Sequence, residues 1–216
     1  MAKRYVYIVD SNNEFQKVEV DFEWFPGFSK VQKQKSVESL HNSFSHYHNQ
    51  NVLEVSTAST KELGVKLSAF NLKVETKKGY HFTVEQLFQT SKVFKSDGVQ
   101  TKLLEEGIDS RDVKKRMREL HETDELIGFE CFGRVFKLKP ETLFYNWLYI
   151  QALVKNHELS REILEYDAFS DISFNPKKSI NCQAEACAIF VMLKRENNLE
   201  EALKSTETFE DIVYNV

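Results

Sequence analysis

The chain has 216 residues, 41% hydrophobic and 29% charged, which suits one sizeable globular domain with a full core. Its net charge of −4 excludes bulk attraction to nucleic acid, so a DNA contact requires a local basic patch. No apolar run approaches the ~18 residues of a membrane span, and Met1-Ala2-Lys3-Arg4-Tyr5 lacks the apolar core of a signal peptide. A membrane partner is therefore not expected. Cys131, Cys182 and Cys187 are odd in number and lack framework spacing, which suits small buried hydrophobes in a reducing cytoplasm.

Seven glycines and three prolines leave few breakpoints, and no linker, repeat or low-complexity segment stands out. Tyr5 to Val9 is β-prone and ends in the turn signal Asp10-Ser11-Asn12-Asn13. Lys17 to Trp24 alternates, so the two runs pair as a hairpin. Phe25-Pro26-Gly27-Phe28 breaks the second strand. Val37, Leu40 and Phe44 give Ser36 to Phe44 helical spacing, with Ser36 as N-cap. Val52 to Val55 and Leu67 to Val74 read as strands, the latter turning at Lys77-Lys78-Gly79. Thr83 to Phe94 and Ser110 to Leu120 read as helices.

The C-terminal half is more plainly helical. Pro140 marks a helix start, where its missing N–H costs nothing. Leu143, Phe144, Trp147, Leu148, Ile150 and Leu153 follow as a wide apolar face. Further helices are expected over Glu158 to Tyr166, Asn181 to Glu196, Leu199 to Leu203 and Phe209 to Val213. The expected fold is α+β: a single, mostly helical domain over 1–216 with a few short N-terminal strands.

Three constellations carry chemistry. In a helix from Thr83, Glu85 shares a face with Phe88, Gln89 and Lys92. A carboxylate beside aromatics suits acid–base work, and an exposed first-turn Glu complementing the helix dipole fits the same pattern. Asp171 to Asn181 is polar, restrained at Pro176, and leads into a helix capped by Ser179 or Asn181. Its backbone N–H groups with Lys177 and Lys178 suit a phosphate, and a plain capped loop fits equally. Trp24 to Phe28, followed by Gln32-Lys33-Gln34-Lys35-Ser36, places aromatics beside lysines, a combination that stacks bases or packs a core. Trp147 is core by default. His41, His46 and His48 lack the spacing and partners of a metal site, and no phosphate-binding glycine loop or nucleophile elbow is present. No cofactor is expected.

These pieces follow the order of the NADAR family, also called YbiA-like. That family carries F-S-N-F, then P-T-x-E-H-Y-F-Q-A-x-K-F, a later helical tryptophan, and a polar D-x-W-G-x-G-x-x-N-x-L-G-like segment. Leu67-Ser68-Ala69-Phe70 resembles the first. Phe82-Thr83-Val84-Glu85-Gln86-Leu87-Phe88-Gln89-Thr90-Ser91-Lys92 resembles the second and keeps its Glu-to-Lys spacing. Asn146-Trp147 and Asp171 to Gln183 resemble the last two. Ala69 replaces Asn, Gln86 replaces His, and Phe174-Asn175-Pro176 replaces W-G-x-G. These departures, with the extension over 1–61, resemble the NADAR antitoxins associated with DarT-type DNA ADP-ribosyltransferase toxins.

The resemblance implies an antitoxin hydrolase that removes ADP-ribose from guanine in DNA by cleaving the aminal bond at the distal ribose. Its expected partners are ADP-ribose, ADP-ribosylated DNA and a cognate DarT-type toxin. Glu85 is expected to stabilise positive charge and move protons. Lys35, with Lys33 beside it, is the first choice for a Schiff-base lysine, and Lys66 and Lys92 are its rivals. Trp147 or Phe25 is expected to stack on a base, Asn175, Ser179 and Asn181 to contact ribose or pyrophosphate, and Asp171 to orient the distal ribose. Ser68 belongs to the same ligand-binding set. A local DNA contact is expected through Lys33, Lys35, Lys114, Lys115 and Arg116. Other readings are an N-glycosidase of a small phosphorylated ribosyl metabolite, of the riboflavin-pathway type, or a non-catalytic module binding ADP-ribose or the toxin.

Overall fold

The computed structural model describes residues 1–76, 79–105 and 109–214. In chain order the strands and helices are β1 (Ala2–Val9), β2 (Phe15–Phe22), α1 (Lys30–Ser45), β3 (Val52–Glu54), α2 (Glu62–Lys66), β4 (Lys73–Glu75), β5 (His81–Thr83), α3 (Val84–Thr90), β6 (Lys92–Phe94) and β7 (Gly98–Val99). There follow α4 (Lys102–Glu105), α5 (Ser110–Thr123), β8 (Leu126–Cys131), β9 (Arg134–Phe136), α6 (Leu143–Lys155), α7 (His157–Glu162), β10 (Ala168–Ser170), α8 (Gln183–Arg195), α9 (Leu199–Ala202) and α10 (Thr206–Tyr214). The α+β class holds, with helices outweighing strands. No described helix is long and apolar enough to cross a membrane.

The expected N-terminal hairpin forms, with Val6 opposite Val18. Its turn closes because Asp10 Oδ1 accepts from the N–H groups of Asn12 (2.8 Å) and Glu14 (3.0 Å), while Asn13 takes the left-handed backbone that asparagine tolerates. β1 also pairs antiparallel with β10, and β10 pairs parallel with β3, giving the order β2-β1-β10-β3. Two further sheets, β4-β5 and β7-β6-β8-β9, lie later in the chain. Strands therefore extend well beyond the N-terminal end. The β8–β9 pair escapes the pattern reading because its buried positions are Gly128, Phe129, Cys131 and Phe136, which do not follow a period of two.

Several boundaries move. Ser29, not Ser36, caps α1, its hydroxyl accepting from Gln32 N–H at 3.3 Å. Ser36 lies inside the helix and is buried, bonded through its hydroxyl to the backbone N–H (3.0 Å) and carbonyl (3.3 Å) of Phe25. Leu67 to Asn71 is a turn after α2 rather than strand, and only Lys73–Glu75 pairs. Lys77 and Lys78 of the expected turn lie outside the described residues. Pro140 sits one turn before α6, its carbonyl accepting from Leu143 N–H at 3.0 Å. Neither Ser179 nor Asn181 caps α8, because Cys182 is the N-cap residue.

The main core packs α6 and α8 together through Phe144, Leu148, Ile150, Ala184, Ala188 and Val191, all essentially inaccessible. Small residues on α8 permit that approach, and each large side chain buried there contributes about 1.5–3 kcal/mol. A second cluster lies between α1 and the first sheet, built on Val6, Ile8, Leu40 and Phe44. Gly64 on α2 marks the closest backbone approach. A Cβ there would overlap the Glu54 carbonyl oxygen and the Ser59 hydroxyl. Gly64→Ala is expected to destabilise the fold by about 3 kcal/mol, read as a lowered denaturation midpoint.

A buried polar network ties the first sheet to α1. Glu54 Oε1 accepts from the Ser56 hydroxyl (2.6 Å) and Ile172 N–H (2.9 Å), and Oε2 pairs with the Ser170 hydroxyl (2.6 Å). His41 Nε2 meets that hydroxyl at 2.8 Å. Burial, then Asp171 nearby, raises the proton affinity of the Glu54 carboxyl. Burial likewise raises Asp171, opposed by hydrogen bonds from Ser173 and Phe174 N–H and by the charge of Arg4. Burial, then the charge of Lys61, lowers His41 to about 4, so its ring is neutral near neutrality.

A carboxyl with raised affinity in the fold stabilises fully below the ordinary carboxylate range and loses that contribution as pH rises through its folded value. Thermal melts from about pH 5 to about pH 9 should thus show Glu54→Gln gaining on wild type as pH rises. The glutamine carbonyl can accept the Ser56 and Ile172 bonds, and its amide can donate to Ser170. A constant difference across that range would remove Glu54 as the source.

Candidate active site

The Glu85 helix starts as the sequence suggests and ends sooner. Thr83 caps α3, accepting from Gln86 N–H at 3.2 Å, and the Gln86 side chain accepts from Thr83 N–H at 2.9 Å. Gln86, where the family has His, thus completes a reciprocal cap. Two more first-turn donors are met by the preceding turn: Glu85 N–H binds Ala69 O and Val84 N–H binds Leu72 O, both at 2.9 Å. That turn is clamped from α8, where Gln183 Oε1 accepts from Ala69 N–H (2.7 Å) and Nε2 donates to Val55 O (2.6 Å). Tyr149 donates its hydroxyl to Leu67 O. Ser68 is buried in the clamp, its hydroxyl unpaired among the described residues.

α3 stops at Thr90, and Lys92 opens strand β6 opposite Phe129 of β8. Lys92 is therefore not on the Glu85 helix face. It reaches the same cleft by a different route, because the helix ends in a turn at Ser91 and the strand that follows is held in the sheet by β8. The cleft has a volume of about 580 Å³, in the range of small-ligand sites. Glu85, Gln89, Lys92, Lys114, His121 and Tyr145 supply its chemistry, and Lys178, Ser179 and Asn181 close one side.

Glu85 is only 6% exposed. Its Oε1 accepts from Gln89 Nε2 and Lys114 Nζ, each at 3.0 Å, while Oε2 has no donor among the described residues. Lys92 Nζ lies 3.0 Å from His121 Nε2 and 5.5 Å from the Phe88 ring centroid. Burial pulls Lys92 down to about 8, helped by the Lys114 charge and opposed by Glu85. Burial and the Lys92 charge also lower His121. Burial first, then Glu85, holds the Tyr145 hydroxyl protonated far above its usual range. The cleft thus offers a buried acidic side chain bound to Lys114 and Gln89, a lysine with an accessible free-amine form near neutrality, and a phenolic donor.

The other expected residues scatter. Lys35 is exposed on α1 and lines a separate cleft with Gln34, Glu38, His41 and Thr60, and Lys33 is half-buried on the same helix. Phe25 is half-buried near Lys35, over Glu38 and Ser39. Lys66 is exposed and paired with Glu62 at 2.9 Å, which raises its affinity for its proton, the reverse of what a nucleophile needs. Trp147 packs in the core on Phe136, centroids 4.9 Å apart, beneath the Arg134 guanidinium. Asp171 is buried beside Glu54, and Asn175 turns its side chain onto Lys177 N–H at 3.0 Å. None of these lines the Glu85 cleft. Of the ligand set only Lys92, Ser179 and Asn181 join Glu85 there.

Sequence pattern singles out Lys114 only as a DNA contact, and His121 and Tyr145 not at all. These three come from distant segments and share no spacing with Glu85; the density of cations in Ser110 to Leu120 is the one available signal. The three histidines do not converge: His41 binds Ser170, His48 stacks on Phe44, and His46 packs on Tyr47. A cleft of about 630 Å³ beside Met1, Asn42 and His46 contains none of the motif residues.

No curated protein matches the sequence. The family model for DarT1-associated NADAR antitoxins matches residues 2–216. With that match spanning the clamp, the Glu85 helix, the Lys92 strand and the Asp171 segment alike, the chain belongs to the DarT1-associated NADAR antitoxin family.

Proposed function

We propose that the protein is a hydrolase that removes ADP-ribose from guanine in DNA, with Glu85 and Lys92 as its catalytic pair. The observation that carries this is the shared cleft: a buried carboxylate and a lysine drawn down to about 8 line one cavity beside a basic helix. The family to which the chain belongs supplies the antitoxin role.

The bond to be broken joins the guanine exocyclic nitrogen to the anomeric carbon of the distal ribose. Ring opening passes the C–O electrons to the ring oxygen, which takes a proton, and leaves an imine to guanine. The free amine of Lys92 adds to that carbon, a proton moves to the guanine nitrogen through Glu85, and guanine departs with its amino group restored. Water then adds to the lysine imine and releases ADP-ribose as the aldehyde, which recloses. Glu85 holds the developing positive charge throughout. Ser179 and Asn181 sit where ribose or phosphate oxygens enter. The lysine role thereby passes from Lys35 to Lys92, because Lys35 lines another cleft.

The direct test incubates the protein with guanine-ADP-ribosylated DNA and follows appearance of free ADP-ribose and unmodified guanine. Tight ADP-ribose binding without turnover would sink the hydrolase reading in favour of a binding module. Cleavage of phosphorylated ribosyl metabolites with the DNA adduct untouched would replace the substrate.

A further inference from the structure

Helix α5 is charge-segregated around its axis. Val113, Met117 and the half-buried Leu120 face inward. At 3.6 residues per turn, Lys114, Arg118 and His121 form one ridge, and Arg111 and Lys115 flank it on the outward side. The acidic Asp112 and Glu119 fall on the opposite flank, where Arg116 is the one cation. Glu122 is the one acidic residue on the basic side. Lys114 and His121 line the Glu85 cleft, so this stripe runs from the cleft wall out to solvent. Arg111, Lys115 and Arg118 are exposed and form no ion pair among the described residues. An overall charge of −4 makes such a stripe a local departure from the rest of the surface.

An exposed aromatic ring stands beside Lys114 of that stripe. Phe70 is 39% exposed although its neighbours Leu67, Ser68 and Ala69 are buried. Ala69 O holds the first turn of the Glu85 helix, and Lys114 Nζ, while bound to Glu85, also lies 5.5 Å from the Phe70 ring centroid. Burying that ring in the adjacent core would stabilise the fold, yet it projects beside Lys114, a cation that lines the cleft.

We propose that the α5 stripe and Phe70 form a track for the nucleic-acid strand flanking the modified base. Arg111, Lys115 and Arg118 hold backbone phosphates, and Phe70 stacks a neighbouring base, so the strand enters along α5 and presents its adduct to Glu85. The inference rests on the proposed reaction for its substrate, and on charge segregation and geometry for its surface. Stacking on an aromatic tolerates any base, so the track positions a strand without reading its sequence.

The test compares wild type with Arg111→Glu/Arg118→Glu and with Phe70→Ala, in the full chain. Binding of an unmodified fluorescent single-stranded oligonucleotide is measured across salt concentrations. Removing the cation from one phosphate should flatten the log–log salt slope by roughly 0.7–0.9, so the double variant should flatten it by about 1.5. Phe70→Ala should weaken binding by about tenfold with the slope retained. On the modified oligonucleotide, both variants should raise KM by about tenfold or more with kcat within about twofold, because the cleft itself is untouched. An unchanged salt slope in the double variant, or a fall in kcat at constant KM, would overturn the track. If wild type binds with the expected slopes yet turns over no adduct, the proposed reaction fails and the track stands.

Discussion

Glu85→Gln should lower hydrolysis of the guanine adduct by roughly 10²–10⁴-fold while the fold stays intact. The amide is isosteric, and its carbonyl can still accept from Gln89 or Lys114, so α3 keeps its anchorage. In the proposed reaction, what the variant lacks is the charge facing the opening ribose and the group that moves a proton to the departing nitrogen. Steady-state kinetics on modified DNA and a thermal melt of the same preparation check both halves. Full activity in the variant would sink the assigned role. A collapse of the melt together with activity would place Glu85 in the structure rather than the chemistry.

The second large effect falls on Lys92. Lys92→Met should reduce turnover by a similar factor and abolish the covalent ADP-ribosyl adduct that borohydride would trap in the wild type. It should also raise Tm by a few degrees, because a buried lysine with a depressed proton affinity binds its proton more weakly in the folded state than in the unfolded one. That cost is largest below its folded value and fades as pH rises through it. The wild-type rate should climb with pH through about 8, as the free amine accumulates. Lys114 helps lower Lys92 and is itself paired with Glu85. Lys114→Met should therefore move the rising limb to higher pH, by removing a repelling cation and by exposing Lys92 to the full charge of Glu85. Trapping that survives in Lys92→Met, or a limb indifferent to Lys114, would end the Schiff-base reading.

The sequence is most legible where local physics decides. The β1–β2 hairpin follows from the Asp10-Ser11-Asn12-Asn13 turn signal between a β-prone run and an alternating one, and the start of α3 at Thr83 from its helical period. Helices α6 and α8 follow from wide apolar faces. It is least legible where tertiary contacts override pattern. Leu67 to Val74 reads as a strand, yet Gln183 and Tyr149 clamp its first part, Leu67 to Asn71, as a turn. Lys92 to Phe94 continues a helical period, yet β8 captures it as a strand. The site shows the same division. Glu85, Lys92, Ser179 and Asn181 are within reach because each lies in a motif segment. Lys114, His121 and Tyr145 meet them only through folding. Lys35 has a neighbouring lysine to recommend it, a clue that says nothing about which cavity a helix faces.

The break at Ser91 has a consequence for chain length. Lys92 lies seven positions after Glu85, which a continuous helix would express as two stacked turns. Here the interval is divided between a helix, a turn and the first rung of a ladder, and the rung is fixed by the pairing of Lys92 with Phe129. Adjacent rungs point to opposite sides of a sheet. Inserting a single residue between Ser91 and Lys92, or deleting Ser91, would therefore turn the amine away from the cleft while leaving most of the hydrophobic core in place. The interval behaves as a gauge set by β-sheet parity, and its length is a tighter constraint than the identity of most residues within it.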